Sequence, residues 1–200
     1  MTLTLAKWTI DEYHLMIEAG LLDNRSVELI QGEIVKMSPE GEAHAYFSSE
    51  AEEYLRVLLS DRATIRSGKP ITLPDDSEPE PDLAIVQKLG REYLAHHPYP
   101  ENIFWLIEYS NSSLKKAEQC GLGGFPHEQL FQEDLEIKTQ LYARVGIAEY
   151  WVVNLKKRQL IIFTEPQDGE YATKSTYSQG TVYPTAFPEL AIAVNSIVSY

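Results

Sequence analysis

Ile103-Phe104-Trp105-Leu106-Ile107-Glu108-Tyr109 is the stretch that decides the fold. Five consecutive large apolar residues leave no polar side for solvent, as in a strand covered on both faces at the middle of a sheet. Glu108 breaks the run, on the face shared by Phe104 and Leu106. An ionised carboxylate there is costly unless a cation or hydrogen-bond donors satisfy it. The plainer alternative is that the strand has reached its end and Glu108 meets water.

Upstream, Pro81-Asp82 stands at the entry to a second apolar run, Leu83-Ala84-Ile85-Val86, so a carboxylate sits where a turn becomes a strand. Pro-Asp is also a common turn pair, and alone it carries little. Downstream, Asp134 to Val145 reads as a helix stopped by Gly146. At about 100° per residue, Leu135, Ile137, Leu141, Tyr142 and Val145 share an apolar arc, and Lys138 falls near its middle with Asp134 beside it. An Asp134 to Lys138 pair at i,i+4 would explain that lysine if it were exposed. Taken together, the three residues suggest a common site: two carboxylates on neighbouring strands can share an oxygen-seeking Mg²⁺ while a helix lysine reaches over them. Phosphodiester cleavage uses such a set, with the ion polarising the phosphate and the ammonium orienting water or stabilising charge at phosphorus.

The remaining chain supplies the frame. Thr9 to Gly20 reads as a capped helix, Val27 to Met37 as a hairpin around Gln31-Gly32, and His44 to Leu59 as a helix with Phe47, Ala51, Tyr54, Leu55 and Leu58 on the face that also carries His44. Ala63 to Leu73 is a strand candidate, followed by an acidic, proline-marked turn from Pro74 to Pro81. Asn111 to Glu133 reads as a long, glycine-bearing loop. Glu149 to Val153 and Leu160 to Thr164 are strands, and Tyr171 to Tyr200 holds short extended pieces. With no linker and no repeat, one domain over residues 1–200 is expected.

Composition narrows the function. The apolar runs are far too short to cross a bilayer and no secretory signal is visible at Met1 to Trp8, so a cytoplasmic location is expected. Cys120 is the lone cysteine, which leaves no cysteine-based metal site and no internal disulfide. The net charge of −13 argues against a general nucleic-acid-binding module, because phosphates would be repelled at long range. Carboxylates gathered around a cation escape that objection, since the ion inverts the local field.

Pro81-Asp82, the strand ending Leu-Ile-Glu-Tyr-Ser at Ser110, the helix pattern Asp-x-x-x-Lys-x-x-x-Tyr-Ala-x-x-Gly from Asp134, and Glu149-Tyr-Trp-Val-Val-Asn154 together resemble the Uma-two family of bacterial restriction-endonuclease-like proteins. The hairpin Val27-Glu-Leu-Ile-Gln-Gly-Glu-Ile-Val-Lys-Met-Ser-Pro39 and His44 resemble its N-terminal half. The resemblance implies an α/β fold of the PD-(D/E)xK class: a restriction-endonuclease-like core with a central mixed β-sheet flanked by helices. It implies that Asp82 and Glu108 hold Mg²⁺ (or Mn²⁺) with the main-chain carbonyl of Tyr109, and that Lys138 is the catalytic lysine. Ser110 stands where that class usually carries its lysine, which implies migration of the amine to the following helix. Glu33 and His44 match recurring positions of undefined role.

The expected function is therefore a metal-dependent endonuclease acting on nucleic acid, DNA in the first instance. The alternative is a non-catalytic interaction or assembly protein that retains the nuclease fold, which the acidic balance favours. A third reading, binding of a basic protein through residues 118–136, rests on charge alone. Twelve tyrosines and apolar two-sided strands are compatible with a homodimer.

Overall fold

The computed structural model describes residues 6–110 and 126–198, with the backbone alone over residues 126–134. Cys120 and residues 118–125 of the acidic segment proposed for a basic partner lie outside these bounds, and of that segment only Leu135 and Glu136 have described side chains.

Thr9 caps α1 (Ile10–Glu18) through a reciprocal capping box with Glu12. The hairpin of β1 (Val27–Ile30) and β2 (Glu33–Lys36) turns at Gln31-Gly32, both at positive φ, as a two-residue turn matching strand twist requires. Next come α2 (Glu42–Leu59), β3 (Thr64–Ser67), β4 (Leu83–Val86), β5 (Ile103–Ser110), α3 (Pro126–Arg144), β6 (Glu149–Asn154), β7 (Gln159–Gln167) and β8 (Glu170–Tyr177). Two short strands, β9 (Thr181–Val182) and β10 (Ile192–Ala193), pair with each other before α4 (Asn195–Val198).

β3 to β8 form one six-stranded sheet in sequence order. Only β5 and β6 run parallel, joined through α3, and the other neighbours are antiparallel, so the sheet is mixed as expected. Alternation along β4 and β5 divides the core. Leu83, Ile85, Trp105 and Ile107 pack with Leu55 and Leu59 of α2 and Ile197 of α4, while Ala84, Val86 and Leu106 pack with Leu135, Leu141 and Tyr142 of α3. Both faces are therefore dry, which explains the unbroken apolar runs.

Several expectations need correcting. Phe104 does not share the face of Leu106: the register slips between Ile85 and Val86, and this bulge turns Phe104 to the α2 side, against Phe187. The strand candidate Ala63 to Leu73 shortens to Thr64–Ser67, because Ile71 and Leu73 bond instead to Pro79 and Ser77. The last part of the expected loop is helical, since α3 already starts at Pro126. Ile137 faces outward at 46% exposure, so the buried arc of α3 is centred on Leu135, Lys138, Leu141 and Tyr142. β8 is a full eight-residue strand rather than short pieces, and its alternating burial marks it as the half-covered edge of the sheet.

Candidate active site

The β4–β5 register pairs Leu83 with Ile107, and one further step sets Asp82 beside Glu108. Two carboxylates thus leave neighbouring strands at the same end of the sheet. The main-chain N–H of Tyr109 donates to Asp82 Oδ2 at 2.6 Å, and Gly68 N–H donates to the Asp82 carbonyl at 3.0 Å, so the Pro-Asp corner is fixed by backbone on both sides. The other oxygen, Oδ1, lies 2.9 Å from His44 Nε2. Burial by itself would lower the His44 pKa, but the hydrogen bond and charge of Asp82 reverse this and hold it above its ordinary value.

Lys138 arrives from the opposite layer. Its side chain is 5% exposed, with Nζ 3.2 Å from Glu108 Oε1 and 3.4 Å from Glu28 Oε1. The hydroxyl of Tyr142, one helical turn on, donates to Glu108 Oε1 at 3.2 Å. The buried lysine inferred from the helix arc thus meets two buried acids. Its pairing with Asp134, the other explanation, falls on a side chain outside the described residues.

Glu28 and Glu80 are functional candidates that the sequence reading did not single out. Glu28 is 3% exposed on β1, and its Oε2 accepts the N–H of Glu80 at 3.1 Å. Burial, then the charge of Glu28, pushes the Glu80 carboxyl above the usual range. A signal for Glu28 was present: Val27-Glu28-Leu29-Ile30 sets one acid in an apolar strand, the same anomaly that drew notice to Glu108. Glu33, on the partner strand of that hairpin, is not brought to the site; its carboxylate is largely exposed, 3.8 Å from Lys7. Tyr109 lines the site, and burial, then the charge of Asp82, raises the pKa of its phenol. Ser110, where a lysine was the class expectation, is buried and accepts a backbone bond from Leu155 N–H through its carbonyl.

These groups surround a cavity of about 240 Å³. Its walls carry five carboxylates, those of Glu28, Glu40, Glu80, Asp82 and Glu108, against the ammonium groups of Lys36 and Lys138. Glu40, His44 and Asp82 each offer a ligand atom within 4.8 Å of the other two. An oxygen-rich set with excess negative charge, partly out of water, fits a hard divalent cation: buried carboxylates are stable when they coordinate one.

The Uma2 family model, described as putative restriction endonuclease, matches residues 10–195. Among solved structures the fold is similar to the crystal structure of a putative nuclease belonging to DUF820 from Anabaena variabilis, at 15% identity and a TM-score of 0.65, covering 94% of this chain and 96% of that one. A search of the curated proteins found no match.

Proposed function

The chain belongs to the putative restriction endonuclease family, and from that premise we propose that it is a divalent-metal-dependent endonuclease hydrolysing phosphodiester bonds, with DNA as substrate. The observation that carries the reading is the meeting of Lys138 with Glu108 on the wall of a cavity that Asp82 also lines. Asp82 and Glu108, with the Tyr109 carbonyl, would hold Mg²⁺ or Mn²⁺. Such an ion supplies charge neutralisation and Lewis-acid polarisation of a phosphate oxygen.

The protein's own groups do the rest. Lys138, held at Glu108, places an ammonium beside the phosphate and orients the attacking water. Glu28 fixes that ammonium from the far side and, through the Glu80 N–H, ties the hairpin to the chain leading into Asp82. His44 orients the Asp82 carboxylate. This arrangement is proposed to work within a single domain of a cytoplasmic protein, as a homodimer. Among the described residues no helix is long and apolar enough to cross a membrane.

The test is cleavage of single- and double-stranded DNA with Mg²⁺ or Mn²⁺. Wild type should cut, while Asp82→Ala, Glu108→Ala and Lys138→Ala should each lose activity. Wild type that leaves both polymers intact under both ions overturns the proposal.

A second reading is favoured by the ion pairing itself. The Lys138 ammonium is bracketed by two acids, as a purely structural pair would be, which suits a non-catalytic assembly protein on the same fold. Calorimetric titration with Mg²⁺ separates the two: heat that disappears in Glu108→Ala supports the enzyme, and no heat in wild type supports the assembly protein.

A further inference from the structure

A second cluster lies apart from the nuclease site, in a cavity of about 270 Å³ between α1 and the segment before β4. Glu78 is buried there, with its side chain 2% exposed. His14 Nε2, from α1, approaches both of its oxygens, at 2.9 and 3.0 Å. His97 Nε2, from the loop before β5, lies 4.0 Å from the same Oε1. The two imidazoles stand 6.4 Å apart and nearly perpendicular. One ligand atom from each of the three residues falls within 4.8 Å of the others.

We propose that His14, Glu78 and His97 form a binding site for a transition-metal ion of the Zn²⁺ class. Two imidazole nitrogens are borderline donors that Mg²⁺ disfavours, and together with one carboxylate oxygen they make a donor set that Zn²⁺ prefers. Around a tetrahedral Zn²⁺, ligand atoms sit about 3.4 Å from one another, given bonds of about 2.0–2.1 Å. The observed 2.9 and 4.0 Å bracket that edge, so small side-chain rotations complete the geometry. Both histidines are partly exposed, with side chains 44% and 34% accessible, so an ion can enter and water can take the fourth position. Thr72 Oγ1 donates to Glu78 Oε2 at 3.0 Å and orients the carboxylate.

One contact opposes the ion and sharpens the test. Arg66 Nη2 lies 3.2 Å from His97 Nδ1, on the ring edge away from Glu78. A metal on Nε2 leaves the ring proton on Nδ1, facing another donor. Arg66 must therefore swing aside when the ion binds, and an acceptor at that position would favour binding.

The consequence is structural. An ion there joins α1, the loop before β5 and residue 78, and the five residues Glu78-Pro79-Glu80-Pro81-Asp82 run from this cluster to the other site. Glu80 lines both cavities. The proposal does not rest on the nuclease reading, because it needs neither substrate nor turnover.

The experiment titrates metal-free full chain with Co²⁺, whose ligand-field absorption is intense in tetrahedral sites, in an Asp82→Asn/Glu108→Gln background that removes the oxygen-rich site. One Co²⁺ per chain with a tetrahedral spectrum is expected, displaced by Zn²⁺ and unaffected by excess Mg²⁺. Zn²⁺ at a hundredfold excess over its Kd should raise Tm by about 5–10 °C. His14→Gln and His97→Gln should each abolish the spectrum and the shift, and Arg66→Gln should tighten binding. His14 is only partly buried, with 44% of its side chain accessible, so His14→Gln reports even if His97→Gln fails to fold. No tetrahedral spectrum, or one that survives His14→Gln, overturns the site and leaves a plain His14–Glu78 ion pair.

Discussion

Lys138→Met is the most informative single change. Methionine retains most of the apolar stem and removes the ammonium, so packing against α3's neighbours is largely kept while the charge balance is broken. Glu28 and Glu108, with side chains 4% and 8% exposed, are then left buried near each other without the amine that bridges them. Removing one partner from a buried pair costs about 3–5 kcal/mol, chiefly the desolvation of the charge left behind. For a chain of this length that lowers Tm by roughly 6–20 °C. The assay is urea or thermal unfolding at neutral pH, run beside the double variant Glu28→Gln/Lys138→Met. Neutralising one of the stranded acids should return about 1–2 kcal/mol, the coupling expected of residues in direct contact. A loss below about 1 kcal/mol in the single variant would be the value of a solvated pair, and would refute the buried bridge on which the site depends.

Three further outcomes follow from the geometry. His44→Gln should weaken Mn²⁺ binding about 10–100-fold, as loss of a group that orients a ligand does, and calorimetry giving wild-type affinity would remove His44 from the site. Gly32→Ala should cost about 1–3 kcal/mol in chemical unfolding, because φ is +76° and a Cβ would lie 2.7 Å from Lys7 Cβ; an unchanged midpoint would mean the hairpin moves freely against Lys7 and Trp8. Tyr171, whose hydroxyl donates to the Ile147 carbonyl at 2.8 Å, has its pKa raised by burial and then by Glu149. A raised folded-state pKa stabilises fully below the ordinary phenol value and is lost as pH rises past it, so wild type should exceed Tyr171→Phe by about 1 kcal/mol at neutral pH and lose that margin above about pH 10. A margin constant across that range would contradict the assignment.

The parts of the fold that were legible are those where one physical rule acts locally. Apolar runs marked β4 and β5 because both faces of the sheet are covered, and Thr9 marked the start of α1 because its cap is satisfied within four residues. Lys138 was legible because a lysine on a helix's core side needs a distant partner. What the sequence concealed depends on tertiary pairing. The bulge that reverses Phe104 arises between two strands, and Ile137, about 100° from Lys138 around α3, stands at the rim of the arc and stays outside its buried side. The Pro74 to Pro81 segment read as an acidic, proline-marked turn, yet Glu78 is among the most buried acids described, since its backbone bridges to Leu29 and its carboxylate is met by α1.

That burial bears on the apparent conflict between a net charge of −13 and a polyanionic substrate. Part of the negative charge is not spread over a solvated surface. As whole residues Glu28, Glu78 and Glu108 are each at most 6% exposed, so they act as internal fixed charges whose partners are a lysine, histidines and backbone N–H groups. Charges held in this way influence their immediate cavity far more than a distant phosphate, whose interaction with them is screened over about 10 Å of salt solution. The long-range repulsion expected from composition remains, while the cavity gains a field that selects cations first. On the proposed function a phosphodiester would approach such a cavity favourably once a divalent ion had entered it, so the same carboxylates would couple metal loading to substrate binding.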